Sequence, residues 1–146
     1  MRIWIDTEFN GFNGELLSIA LVAEDGTEFY EILMYSSATD PWVAEHVMPV
    51  MNKHTGLGLR KPISRCRVTR LLQHFLMQFE SIHVIADWPE DIAHFCRLLL
   101  TEVPGERINT PPLMMEIVRF DAPSEVPHNA LSDARGMREY DIKRGR

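Results

Sequence analysis

The alternation of apolar and polar positions begins at the second residue. Ile3, Trp4 and Ile5 open a strand-compatible run, Ile3-Trp4-Ile5-Asp6-Thr7-Glu8-Phe9, that closes on two acids. Asn10-Gly11-Phe12-Asn13-Gly14 reads as a loop. Residues 16–23 form an apolar run of strand formers, Glu24-Asp25-Gly26 is a hairpin signal, and residues 27–33 return as a third strand. Three antiparallel strands thus come first. The period then changes. Asp40 predicts an N-cap with Pro41 at the first helical position, opening a short helix through about Val47. Residues 54–62 read as a Gly-containing loop. Ser64 caps a longer helix in which Val68, Leu71, Leu72, Phe75, Leu76 and Phe79 form one apolar stripe. Residues 82–86 predict a short buried strand. Pro89-Glu90-Asp91 opens a helix with Ile92, Phe95, Cys96 and Leu99 inward. A proline-rich loop leads to a strand at 114–118, whose Met114 and Met115 read as core, and a last helix spans about 130–143. Strands first, then alternating helices and strands, predict an α/β fold with a mixed sheet.

A chain of 146 residues, 45% hydrophobic and 25% charged, predicts one domain with a single core. Acids at Asp6 and Glu8 precede any apolar segment of a signal peptide, and no apolar run reaches the ~18 residues of a membrane span. Two cysteines without a CxxC pair, Cys66 and Cys96, predict buried free thiols and a cytoplasmic setting.

The net charge of −6 argues against bulk attraction to nucleic acid, but the charges are segregated. Residues 1–50 hold nine acids and one basic residue, Arg2; residues 53–70 hold Lys53, Arg60, Lys61, Arg65, Arg67 and Arg70 and no acid. Five basic residues from Arg135 to Arg146 face Glu139 and Asp141. An acidic half with basic flanks suits a polyanion steered onto a cation site, with Arg65, Arg67 and Arg70 guiding the strand; a plain solvated helix face is the alternative.

Asp6 and Glu8 stand at i and i+2 on a strand, so they project to one face. Two carboxylates that close repel, and a hard divalent cation relieves the repulsion. The alternative is a solvated strand end. Asp91, in the first turn of its helix, and Asp87, at the preceding strand end, compete as a third ligand. Asp91 also suits the positive end of a helix. Asp133 lies one turn into the last helix. His128, five residues earlier, fits a loop that leans over the face showing Asp133. HExxH, Cys/His zinc spacing, Walker A, GxSxG and GxGxxG patterns are absent from the sequence.

Asp-x-Glu on the first strand, an Asp opening a middle helix and His128-Asn129-Ala130-Leu131-Ser132-Asp133 near the end together resemble the DEDDh 3′–5′ exonucleases of the ribonuclease H-like superfamily. The Asp6-Thr7-Glu8-Phe9 opening resembles most the small exoribonucleases of the mycobacterial ribonuclease AS type. Glu90 departs from the pattern, standing where an aromatic is frequent. The resemblance implies a single exonuclease domain over residues 1–146. It implies that Asp6, Glu8, Asp91 and Asp133 hold two Mg²⁺ or Mn²⁺ ions and that His128 is the general base. Thr7 and Phe9 would lie beside the terminal nucleotide of a single-stranded nucleic acid. RNA is implied over DNA, and a homodimer is suggested. A DNA exonuclease of the same chemistry, or a catalytically silent binding module on this fold, are the competing readings.

Overall fold

The computed structural model describes residues 1–53 and 56–145. The loop expected from residue 54 starts outside the described residues, as does Arg146 of the basic tail. Five strands, β1 (Arg2–Phe9), β2 (Leu16–Ala23), β3 (Glu28–Ile32), β4 (Ile82–Ala86) and β5 (Leu113–Ile117), form one sheet in the order β3-β2-β1-β4-β5. The first three are antiparallel neighbours, while β4 runs parallel to both β1 and β5. The four helices among the described residues are α1 (Pro41–His46), α2 (Arg65–Leu76), α3 (Pro89–Leu98) and α4 (Ala130–Lys143). This is a mixed five-stranded α/β fold, consistent with a ribonuclease H-like architecture. No helix among the described residues is long and apolar enough to cross a membrane.

The period of two in β1 divides the core. Ile3 and Ile5 pack with Val68, Leu72, Phe75 and Phe95 from α2 and α3. Trp4, on the opposite face, packs with Val43, Ala130, Leu131, Ala134 and Met137 from α1 and α4. Both faces are therefore closed, and Asp6 and Glu8 continue the α4 side. Trp4 is fully buried and its indole N–H donates to Asp141 at 3.1 Å. Eight helical residues from Asp133 to Asp141 rise about 12 Å, and four strand residues from Trp4 to Glu8 about 13 Å. Fixing Asp141 at Trp4 thus brings Asp133 level with Asp6 and Glu8.

Several side chains depart from the sequence reading. Leu71 is 38% exposed, because it lies ~100° from the middle of the buried arc of α2, where Thr69 is buried instead. In α3 the buried positions are Asp91, His94, Phe95 and Leu98, one residue back from the expected stripe. Polar residues turn inward there, so apolar periodicity misses the phase. Met114 and Met115 are exposed at 66% and 39% on β5, an edge strand of the sheet, where Met115 meets α3 through the Cys96 thiol at 3.6 Å. Cys66 is exposed in the first turn of α2 and Cys96 half-buried, so neither is a core thiol.

Gly136 in α4 lets the loop before the helix lie down on it. A Cβ there would stand 2.4 Å from the backbone oxygen of Pro123. Ser124 then donates to the Ser132 hydroxyl, which also accepts from the Val126 amide. Helix propensity favours Gly136→Ala by ~1 kcal/mol, but the clash costs about 1–3 kcal/mol. Gly136→Ala is expected to lower the melting temperature by several degrees against its propensity. A variant that melts higher would mean the loop does not rest on α4.

Candidate metal-dependent active site

Three elements, β1, α3 and α4, converge at the carboxyl end of β1. Asp6 and Glu8 come from β1 itself, Asp91 from the first turn of α3, Asp133 from the first turns of α4, and all four line a cleft of about 500 Å³. The oxygens of Asp6, Glu8 and Asp133 lie within 4.8 Å of one another, and so do those of Asp6, Asp87 and Asp91. Asp6 belongs to both triads. The sequence left Asp87 and Asp91 as competitors; the structure brings both to Asp6.

Thr7 points to the other face of β1 and is 5% exposed. Its hydroxyl donates to Asp91 Oδ1 at 2.6 Å and its amide to the same oxygen at 3.0 Å. Asp91 Oδ2 is buried and has no hydrogen-bond partner among the described residues. An orphaned carboxylate oxygen in a 2%-exposed side chain is costly unless something positive meets it. Glu90, at the departure from the family pattern, accepts from the Asn13 amide and the Trp88 indole. It thereby ties the β1–β2 loop to the start of α3.

His128 sits in the turn before α4 with φ of 63°, a left-handed conformation that a non-glycine residue adopts at a cost. Its amide donates to Asp133 Oδ2 at 3.1 Å, and its ring stands T-shaped to Trp42 with centroids 5.0 Å apart. Asn129 holds the turn from beneath. Its side-chain oxygen caps α4 by accepting from the Ser132 amide, and its Nδ2 donates to the carbonyls of Val50 and Met51.

An aromatic rim surrounds the acidic floor. Phe9, Phe12, Trp42 and Trp88 line the cleft, with Phe12 83%, Trp42 50% and Trp88 44% exposed. Of these the sequence reading named only Phe9. Phe12 carried a signal: an aromatic among Asn and Gly loop residues has no core to enter. Trp42 stacks on His46 at 4.6 Å, the i, i+4 partner on α1.

The three arginines expected to guide a strand lie outside this cleft. Arg65 donates to the Arg97 carbonyl and borders a second cleft with His94 and Arg97. Arg67 borders a third with Arg60 and Lys61, and Arg70 is exposed on α2. The first and second clefts meet along the β1–β2 loop, and the Phe9 ring, in the first, packs on His94, in the second, at 5.2 Å.

Burial raises every acid of the cluster, and mutual repulsion adds to it at Asp6, Glu8, Asp91 and Asp133. Burial, then Asp91, Glu8 and Asp133, hold Asp6 well above the usual carboxylate range. Glu8 is pushed to about 8, by burial and then by Asp133 and Asp91. Asp91 reaches about 7 through burial, although the Thr7 hydrogen bond pulls it down. Asp133 and Asp87 are raised chiefly by burial. Oxygen-only donors, a shared carboxylate and an orphaned oxygen fit hard divalent cations.

A carboxyl whose folded pKa exceeds its unfolded value binds its proton more tightly when folded. That stability is complete below about pH 4 and is lost as pH rises through the raised values of about 7 for Asp91 and about 8 for Glu8. In EDTA the melting temperature is therefore expected to fall between about pH 5 and 8.5, and millimolar Mn²⁺ should restore it at the alkaline end. A melting temperature independent of both pH and Mn²⁺ would mark these acids as an ordinary solvated strand end.

No protein-family model matches the chain. It is similar to a 3′–5′ exoribonuclease of Mycobacterium tuberculosis, in strain CDC 1551 / Oshkosh and in strain ATCC 25618 / H37Rv, at 46% identity over 56 residues in each. The match covers 34% of this chain and 32% of the mycobacterial protein, so the chain spans about a third of the length of the curated relatives it matches. Over that segment the chain is related to a 3′–5′ exoribonuclease.

Proposed function

We propose that this chain is a metal-dependent 3′–5′ exoribonuclease that releases nucleoside 5′-monophosphates from single-stranded RNA. The observation that carries the reading is Asp6, one carboxylate common to two triads, at the floor of an aromatic-rimmed cleft. In-line displacement at a phosphodiester needs positive charge at both the attacking and the leaving oxygen. Two adjoining carboxylate sets are suited to hold it. The segment shared with the mycobacterial protein, named a 3′–5′ exoribonuclease, supports cleavage from the 3′ end and the preference for RNA. The reading places the chain with the DEDDh enzymes of the ribonuclease H-like superfamily.

Asp6, Glu8, Asp91 and Asp133 would hold two Mg²⁺ or Mn²⁺ ions. When bound, these supply Lewis-acid charge to the attacking and departing oxygens. Asp91 is fixed for this by the Thr7 hydroxyl and amide, so Thr7 acts through that carboxylate. His128 takes the proton from the attacking water at a ring nitrogen. The bond from its backbone amide to Asp133 fixes the His128 backbone, the T-shaped contact with Trp42 orients the imidazole, and its exposure lets the proton pass on to solvent. Phe9, Phe12, Trp42 and Trp88 offer faces on which the terminal bases stack, each worth about 1–3 kcal/mol. Arg65, Arg67 and Arg70 would steer the strand upstream of the 3′ end.

The test compares 5′-labelled single-stranded RNA and DNA oligonucleotides with Mn²⁺, Mg²⁺ or EDTA, with products resolved by length. A ladder shortening from the 3′ end, faster on RNA and abolished by EDTA, is expected. Faster shortening of DNA would make it a DNA exonuclease. Retention of both oligonucleotides intact, with measurable binding, would make it a binding module.

A further inference from the structure

We infer that Asp87 is a fifth carboxylate of the metal centre, sharing with Asp91 the cation on one side of Asp6. This rests on the metal-dependent reading above. β1 and β4 are parallel neighbours with Trp4 opposite Ile85. That register, continued two residues past the last pair, would set Asp87 opposite Asp6 with the same parity and so toward the same face. Trp4 and Ile85, the pair behind them, do share the α4-side core. Asp87 is the first residue beyond β4, and Trp88 and Pro89 turn the chain at once into α3. That turn returns Asp91 to the same point, so one strand end and one helix start deliver two acids four residues apart to a single partner.

The oxygens of Asp6, Asp87 and Asp91 all fall within 4.8 Å, a span that one cation can bridge. A second observation calls for a cation there. Asp91 is 2% exposed, Thr7 bonds its Oδ1, and its buried Oδ2 has no partner among the described residues. Asp87 is half-buried and, unlike the other four acids, lies outside the lining of the main cleft. It can therefore add negative charge to the centre without occupying the space where substrate sits. Metal affinity and substrate binding separate on that basis: Asp87 governs the first and leaves the second alone. Glu8 and Asp133, on the other side of Asp6, serve the second ion.

The test titrates Mn²⁺ into the intact metal-stripped protein by calorimetry, with no nucleic acid present, for wild type, Asp87→Asn and Glu8→Gln. Wild type should bind two ions. Asp87→Asn should weaken one of them by on the order of 10–100-fold and leave the other unchanged, while Glu8→Gln weakens the other. In turnover, Asp87→Asn should need correspondingly more Mn²⁺ for half-maximal rate while KM for the oligonucleotide stays put. Two ions bound by Asp87→Asn with wild-type affinity, alongside a loss in Glu8→Gln, would overturn this inference and leave the metal-dependent reading intact. Failure of wild type to bind Mn²⁺ at all would overturn both. Circular dichroism of each variant, matched to wild type, assigns any loss to the site.

Discussion

Asp6→Asn is expected to abolish turnover while leaving a folded protein that is at least as stable without metal. The two halves of this result have one cause. Asp6 is common to both carboxylate triads, so its loss weakens both cation positions at once. Electrostatic stabilisation by bound cations is worth several kcal/mol, which corresponds to a rate loss on the order of 10³-fold or more. Without metal the same carboxylate is a burden: it is buried and repelled by Asp91, Glu8, Asp133 and Asp87. Asparagine keeps the shape and removes the charge. Single-turnover rates at saturating Mn²⁺, with melts in EDTA at pH 8, measure both halves. An active Asp6→Asn enzyme, or one that melts far below wild type in EDTA, would contradict the role.

His128→Gly carries the second large effect. Loss of a general base costs on the order of 10²–10⁴-fold in kcat. Glycine is the informative substitution because His128 has φ of 63°, where glycine is unstrained. Stability should therefore hold or rise as activity falls, and Mn²⁺ affinity should survive, since every carboxylate remains. Such a split, with kcat lost and the melt maintained, is the signature of a residue held in strain for chemistry. If His128→Gly gains stability and keeps its rate, the histidine is a turn residue and the proton leaves by another route.

Local pattern made much of this legible. The alternation in β1 placed Asp6 and Glu8 on one face, and Asp40-Pro41 announced α1, where the Asp40 carboxylate does accept from the Trp42 and Val43 amides. What escaped is long-range. That Asp87 as well as Asp91 meets Asp6 depends on the register of two strands just over eighty residues apart, and register leaves no mark on either strand alone. The inward turn of Asp91 and His94 hid the phase of α3, since polar groups held by partners elsewhere read as surface. The exposure of Met114 and Met115 depends on β5 ending the sheet. Trp42, Phe12 and Trp88 look like any aromatic until the fold leaves them at the mouth of one cleft.

Asn129, fully buried, has a mechanical consequence. One end of its amide is fastened to α4 and the other to the carbonyls of Val50 and Met51, just past the helix that carries Trp42. The imidazole and the indole are therefore bolted to the same frame, and thermal motion carries them together. The opposite wall, where Phe12 rides on the β1–β2 loop, is tied to both sides: through Asn13 to Glu90 of α3, and through Asn10 to Ser37, Ala38 and Asp40 at the entry to α1. The loop thus links the two walls, so the imidazole, the indole and the Phe12 ring are carried by one connected frame and the mouth of the cleft keeps its width.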